Sequence, residues 1–116
     1  FAGISGDTNP MHLNEEYASA TMFEGTIAHG MLSASFISTV VGTRLPGPGC
    51  IYVSQSLKFR APVRPGDTVT ARATVKELVP ERGRVTLHTV CTVGSTVVID
   101  GEAVVQVPHR TALAAE

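Results

Sequence analysis

Hydrophobic and polar residues alternate along four segments in the second half of the chain, residues 51–59, 67–76, 85–93 and 97–107. In the third segment, the apolar positions are Val85, Leu87, Cys91 and Val93. A period of two with one polar face predicts antiparallel strands of a sheet that has one side in water. Turn residues separate the segments, and a glycine inside the fourth, Gly101, predicts a bulge.

A different pattern precedes the strands. Residues 31–42 read MLSASFISTVVG and contain no charged residue. A segment that is apolar on every side predicts a buried helix, with Gly42 as its end. Nearer the start, Asn9-Pro10 predicts a loop over residues 6–12. Asn14, followed by two glutamates, predicts the cap of a short helix that runs to about Ala20.

The helix and the sheet each have an apolar surface that needs a cover. The economical solution wraps the sheet around the helix. The sequence therefore predicts an α+β hot-dog fold, in which an antiparallel sheet wraps around one long buried helix, as a single domain over residues 1–116. Such a sheet leaves an edge strand open, and open edges favour pairing, so we expect at least a homodimer.

Composition narrows the class of protein. The chain has 116 residues, of which 43% are hydrophobic and 16% charged, and its net charge is −1. These values fit one folded domain and argue against disorder and against nucleic acid as a partner. Its apolar runs are too short to cross a membrane, and it shows no signal peptide. Two isolated cysteines, Cys50 and Cys91, indicate a reducing compartment, so we expect a cytoplasmic protein.

The start of the chain carries the residues best suited to chemistry. FAGISGDTNPMH places the carboxylate of Asp7 and the imidazole of His12 on one short loop, which Pro10 stiffens. Such a pair suits acid–base work, although a turn aspartate and a surface histidine would give the same letters. Neither His88 nor His109 joins His12 at a metal-ligand spacing, and both are predicted to face solvent. We therefore predict no metal site.

The stretches FAGISGDTNPMHLNEEYA and IAHGMLSASF resemble the (R)-specific enoyl-CoA hydratases of the MaoC-like, or hydratase 2, type. That family's signature is an aromatic residue, a small residue and then Gly-Asp-x-Asn-Pro-x-His. It is matched here by Phe1, Ser5, Gly6, Asp7, Asn9, Pro10 and His12. The segments IYVSQSLKFRAPVRPGDTV and GEAVVQV extend the likeness over nearly the whole chain. The family usually has a further strand and a helix start before this motif, so we expect the sequence to be a fragment.

The resemblance implies the reversible (R)-specific hydration of trans-2-enoyl-CoA to (R)-3-hydroxyacyl-CoA. Asp7 and His12 would hold the attacking water, with Asp7 accepting its proton and His12 donating on the other side, or the reverse. Gly30 opens the apolar helix, and its free N–H suits the thioester oxyanion. Asn9 would order the loop or contact the substrate. No cofactor is implied, because coenzyme A is part of the substrate.

Six further residues have two interpretations each. His29 adds a donor to the site or packs at the helix start. Ser38 lies near the active site by resemblance, or bonds back to a carbonyl of its own helix. Val41, on the same helix face, lines an acyl pocket or the core. The three cations Lys58, Arg60 and Arg64 contact the phosphates of coenzyme A or form a solvated face.

Two other functions compete with hydration. A hot-dog thioesterase would use the same helix start but cleave the thioester, and a non-catalytic module would only bind acyl thioesters. The Gly-Asp-x-Asn-Pro-x-His loop favours hydration over both. The sequence leaves open the acyl chain length and the choice between coenzyme A and acyl-carrier-protein thioesters. It also leaves open the pathway, whether fatty-acid breakdown, supply of (R)-3-hydroxyacyl units to polyhydroxyalkanoate polymer, or a specialised acid.

Overall fold

One long helix and four antiparallel strands dominate the structure, a computed structural model that describes residues 1–108. The helices are α1 (Ala2–Ser5), α2 (Pro10–Leu13), α3 (Glu15–Ser19) and α4 (Gly30–Thr43). The strands are β1 (Ile51–Phe59), β2 (Thr70–Val79), β3 (Arg84–Val93) and β4 (Thr96–Gln106), with a 3-10 turn at Pro80–Arg82. His109 lies outside the described residues.

The strands form one sheet in the order β1-β4-β3-β2, and every neighbouring pair is antiparallel. Helix α4 packs across β2 and β3. The core between them joins Ile37 and Val41 of the helix to Leu87, Ile99 and Val105 of the sheet, all of which are almost fully buried. This arrangement confirms the predicted hot-dog fold. Strand β1 has the predicted bounds, whereas β2 begins at Thr70 rather than at residue 67.

The chain before α4 folds through local caps. Asn14 accepts a hydrogen bond from the Tyr17 N–H at the start of α3, so the predicted short helix is confirmed. The prediction of a continuous loop over residues 6–12 is wrong, because α2 begins inside it. Pro10 takes the first helical position, where its missing N–H costs nothing, and the Asn9 side chain accepts from the Met11 N–H.

The prediction that α4 is buried on all sides is also wrong for the described chain. Its buried residues are Ser33, Ala34, Ile37 and Val41, which form one stripe against the sheet. Met31 and Phe36 on the other side keep 57% and 39% of their surface exposed. The sheet of one chain covers only one side of a helix, so the remaining apolar side stays open. The helix also continues past Gly42 to Thr43.

Gly101 does not mark a bulge. It pairs in register with Leu57 on β1 and Thr89 on β3, and the register shifts of the sheet fall elsewhere. Glycine is required there by close approach, because an added Cβ would collide with the Ser56 carbonyl oxygen. The space above it lets the Gln55 amide donate a 2.9 Å hydrogen bond to the hydroxyl of Thr89, which is fully buried. The buried Thr89 hydroxyl therefore has a hydrogen-bond partner.

Neither cysteine forms a disulfide. Cys50 is half-buried and Cys91 is buried in the core. Burial raises the pKa of the Cys91 thiol, which keeps it protonated and unreactive. Among residues 1–108, no helix has the length and apolar character needed to cross a membrane.

Candidate active site

A cavity of about 600 Å³ opens at the N-terminus of α4. The loop before α2, the segment that leads into α4 and the end of β1 form its walls. Its polar lining includes Asp7, His12 and His29, and its apolar lining includes Ile27 and Phe59. The structure thus brings the motif residues Asp7 and His12 to one apolar-walled cavity together with the predicted helix start.

Local hydrogen bonds hold the Asp7 loop in shape. The Asp7 Oδ1 atom accepts from the Asn9 N–H at 3.1 Å, and the Asn9 Oδ1 atom accepts from the Met11 N–H at 3.1 Å. Asn9 therefore orders the loop and is absent from the lining of the cavity. The Asp7 side chain remains 52% exposed, so its carboxylate is open to the cavity and to water.

The backbone fixes the tautomer of His12. Its Nδ1 atom lies 2.8 Å from the Ile27 carbonyl oxygen. Because a carbonyl oxygen can only accept, Nδ1 carries the proton of this bond, and in the neutral ring Nε2 is left with a lone pair. The Glu15 carboxylate holds the segment next to the Ile27 carbonyl in place, because it accepts hydrogen bonds from both the N–H and the hydroxyl of Thr26. These two bonds hold the pKa of the Glu15 carboxyl below its ordinary value.

His29 connects the two motif residues. It is the N-cap residue of α4 and only 7% exposed. Its Nε2 atom donates to the Asp7 carbonyl oxygen at 2.9 Å, and its ring stacks on that of His12 with centroids 3.9 Å apart. Donor or acceptor atoms of Asp7, His12 and His29 consequently all lie within 4.8 Å of one another.

That trio is the one group among residues 1–108 whose ligand atoms are close enough to hold a metal ion. The two imidazoles are poorly arranged for it. Their planes are only 26° apart in a stacked pair, so their in-plane lone pairs do not converge on one point. Each ring also has one nitrogen engaged by a carbonyl oxygen. A metal held by both rings would require one of them to turn out of the stack.

Gly30 is the first residue of α4, so its N–H has no partner within the helix and lies at the positive end of the helix dipole. The ring of Phe59 packs directly against it. A Cβ at residue 30 would lie 2.6 Å from Cε1 and 2.8 Å from Cδ1 of that ring. Glycine therefore allows an aromatic wall and a free N–H at the same place.

Two helix residues predicted for the site lie elsewhere. Ser38 is exposed and Val41 is fully buried in the core, and neither lines the cavity. Ser33, on the same helix, is 2% exposed and does line the cavity. Its spacing of three from Gly30 was the available signal, because residues three apart share one helix face. Phe59 was also missed, although it ends the alternating apolar face of β1.

The three cations predicted to bind coenzyme A have separate surroundings. Arg60 lines the cavity and forms a 3.2 Å ion pair with Asp100. Lys58 lines a polar depression on the outer side of the sheet. Arg64 donates to the Gly25 carbonyl oxygen at 3.4 Å. Of the three cations, Arg60 alone lines this cavity, and contact of the three with coenzyme A stays a prediction.

With the motif, the helix start and the fold in place, similarity to known proteins decides the family. The sequence profile of the MaoC like domain matches residues 1–99. The chain belongs to the MaoC-like family. In this MaoC-like protein, the matched range contains the Asp7 loop, α4 and most of the sheet.

The relatives of this MaoC-like protein include lyases of acyl thioesters. It is 68% identical over 110 residues to a Rhodospirillum rubrum protein named (R)-specific enoyl-CoA hydratase, a match that covers 95% of this chain and 76% of the relative. It is 56% identical over 110 residues to the 3-hydroxybutyryl-CoA dehydratase of Methylorubrum extorquens, covering 95% of this chain and 70% of the relative.

Solved structures agree with this family. The (R)-hydratase of A. caviae involved in PHA biosynthesis superimposes with a TM-score of 0.88 at 47% identity, covering 93% of this chain and 83% of that one. An unliganded R-hydratase from Pseudomonas aeruginosa gives a TM-score of 0.86 at 44% identity, covering 95% of this chain and 71% of that one. The MaoC-like protein thus shares its hot-dog fold with R-hydratases.

Proposed function

We propose that this protein catalyses the reversible, (R)-specific hydration of trans-2-enoyl-CoA to (R)-3-hydroxyacyl-CoA. The observation that carries the proposal is the meeting of Asp7 and His12 in one apolar-walled cavity at the start of α4, with reactive atoms within 4.8 Å. The activity named for relatives of 68% and 56% identity supports the same reaction.

The spacing of the pair suits one bridging water. Two groups too far apart for a direct hydrogen bond are commonly joined by a water molecule. Asp7 offers carboxylate oxygens, and neutral His12 offers the lone pair of Nε2, so both accept from that water. As its oxygen bonds to the β carbon, one of the two takes a water proton. That same group then delivers the proton to the α carbon, which completes the addition, so one residue acts first as base and then as acid, in place of the two separate roles that the resemblance implies.

Negative charge develops on the thioester oxygen when the hydroxyl adds to the β carbon. The Gly30 N–H and the positive end of the α4 dipole stabilise that charge. Phe59 and Ile27 give the acyl chain apolar surroundings. We assign Arg60 as a cation for the coenzyme A part, because it lines the cavity while its neighbour Lys58 does not.

Two readouts in one assay test the reaction class. We expect enoyl-CoAs of several chain lengths to lose their conjugated absorbance without release of free thiol. Thiol release would select the thioesterase, and binding without turnover would select the non-catalytic module. Parallel reactions with acyl-carrier-protein thioesters show whether the enzyme accepts that carrier as well as coenzyme A.

We also propose that the protein is a homodimer or a higher homo-oligomer. Strand β1 is an edge of the sheet, and its apolar residues Ile51, Val53 and Phe59 are exposed. The open side of α4 carries Met31 and Phe36. A second copy would cover apolar surface on both elements. A fully active monomer at micromolar concentration, measured by light scattering, would refute this.

The proposed reaction needs neither cofactor nor metal, because the substrate brings its own coenzyme A and the chain supplies acceptor and donor groups. We expect activity to survive exhaustive treatment with EDTA. Loss of turnover that zinc or iron restores would contradict this. We place the enzyme in the cytoplasm, which is consistent with two free thiols.

A further inference from the structure

His29 contacts both members of the proposed catalytic pair without offering its donor to the cavity. The proton of its Nε2 atom is committed to the Asp7 carbonyl oxygen at 2.9 Å. One face of its ring covers the imidazole of His12 at 3.9 Å. Phe1 packs on the ring with centroids 5.0 Å apart. His29 is thus enclosed by the groups that it touches, and only 7% of its surface is exposed.

We propose that His29 is a positioning residue that sets the Asp7 loop and the His12 ring relative to the start of α4. The proposal rests on the hydration reaction proposed above and gives His29 no direct contact with the substrate. Its hydrogen bond joins residues 22 positions apart and ties the Asp7 backbone to the start of α4. A buried bond of this kind is costly to leave unmade.

The positioning depends on a defined tautomer. Because the Asp7 carbonyl oxygen can only accept, His29 must carry its proton on Nε2. His12 must carry its proton on Nδ1, which faces the Ile27 carbonyl oxygen. The two stacked rings therefore hold opposite tautomers. This pattern keeps Nε2 of His12 available as an acceptor while Nε2 of His29 serves as a structural donor.

Two substitutions separate the donor from the ring. His29→Gln can place an amide N–H where Nε2 lies but removes the stacked ring. His29→Phe keeps a ring against His12 but removes the donor. We expect His29→Phe to lower kcat by about 10- to 100-fold with little change in KM, because a misplaced acid–base group weakens only the transition state. We expect His29→Gln to stay within about fivefold of the wild type.

Matched controls come from His88, an exposed histidine on the other side of the sheet. His88→Phe and His88→Gln should both leave kcat and KM unchanged. Binding of a saturated, unreactive acyl-CoA such as butanoyl-CoA should be equal in the wild type and both His29 variants. An active His29→Phe, or a His29→Gln that is as impaired as His29→Phe, would overturn the proposal.

Nitrogen NMR of the wild-type protein tests the same proposal without any variant. Long-range couplings between ring nitrogens and carbon-bound protons identify the tautomer of each histidine. We expect a protonated Nε2 in His29 and a protonated Nδ1 in His12. A protonated Nδ1 with a bare Nε2 in His29 would overturn the proposal, even if the His29 variants fail to fold. Absence of hydratase activity with the expected tautomers would instead count against the proposed function.

Discussion

The sheet separates two pairs of an aspartate and a histidine. On the side away from α4, His88 Nε2 lies 3.0 Å from Asp100 Oδ1. In the cavity, the nearest contact between an imidazole and the Asp7 carboxylate is 3.9 Å, from His29 Nε2 to Oδ2. By contact distance alone, the outer pair would be the better catalytic candidate.

The surroundings reverse that order. The side chains of His88 and Asp100 belong to an outer depression whose other charged residues are Lys58, Lys76 and Glu102. Asp100 also accepts from Arg60, so its lone pairs are engaged by its neighbours. The cavity pair is held through backbone carbonyls instead, which leaves reactive atoms free. The apolar walls and the N-terminus of α4 then strengthen the electrostatic interactions of those atoms with a bound substrate.

The largest expected effect comes from removing the cavity pair. Asp7→Asn and His12→Ala should each lower turnover by roughly 100-fold or more, the usual scale for a positioned acid or base. Melting should change little, because neither side chain is part of the core. The equivalent outer substitutions, Asp100→Asn and His88→Ala, should leave kcat unchanged, and a change in KM is expected only for Asp100→Asn, which removes the partner of Arg60. Steady-state kinetics on the four variants would check this. An equal loss of kcat in the outer variants would show that the cavity pair has no special role.

A methyl group at the helix start should have an intermediate effect. Gly30→Ala pushes Phe59 out of its place, since the added Cβ would lie 2.6 Å from the ring. We expect kcat/KM to fall about tenfold, because small displacements at the reacting centre are costly. Because the Phe59 side chain is itself exposed, the ring can move, and stability should suffer little.

The same helix provides the control for that substitution. An added Cβ at Gly42 meets nothing within 4 Å. Gly42→Ala should raise the free energy of unfolding by up to about 1 kcal/mol and leave kcat/KM unchanged. Equal activity losses in the two variants would show that the helix, and not its N-terminus, is what matters.

The smallest expected effect is electrostatic. The hydrogen bond from His88, followed by that from Arg60, holds the pKa of Asp100 below its ordinary value of 3.8. A carboxyl with a lowered pKa stabilises the fold above its unfolded pKa, and this contribution is lost as the pH falls through the folded pKa. Urea unfolding should therefore show a small deficit for Asp100→Asn at about pH 6 that shrinks toward about pH 3. A deficit that grows on acidification would contradict the sign.

Local signals explain what the sequence could predict. The alternation of β1 and the Asn14 cap are properties of neighbouring residues, and both matched the structure. The hot-dog fold followed because an uncharged helix and a one-sided sheet need each other. The exposed side of α4 was missed because composition shows that a helix is apolar but not how many of its sides a single chain can cover.

The sequence could predict only those site residues that lie close together along the chain. Asp7 and His12 lie in one motif, whereas the bond from His29 to Asp7 spans 22 residues and depends on where the fold places α4. Ser38 and Ser33 are both serines of one apolar helix, and the spacing of three from Gly30 favours Ser33 only once Gly30 is known to line the cavity. The rotation of α4 about its axis, which decides which side faces the cavity, depends on its packing against the sheet.

If the cavity pair adds water to one face of an enoyl thioester, the configuration of the product reports which face is hydrated. Wild-type protein would be incubated with trans-2-butenoyl-CoA and coupled in parallel to dehydrogenases specific for the (S) and the (R) isomer. We predict loss of the enoyl absorbance, strong NADH formation with the (R)-specific enzyme and almost none with the (S)-specific one. Rapid NADH formation with the (S)-specific enzyme would mean that the opposite face is hydrated and would contradict the proposed (R)-specific reaction.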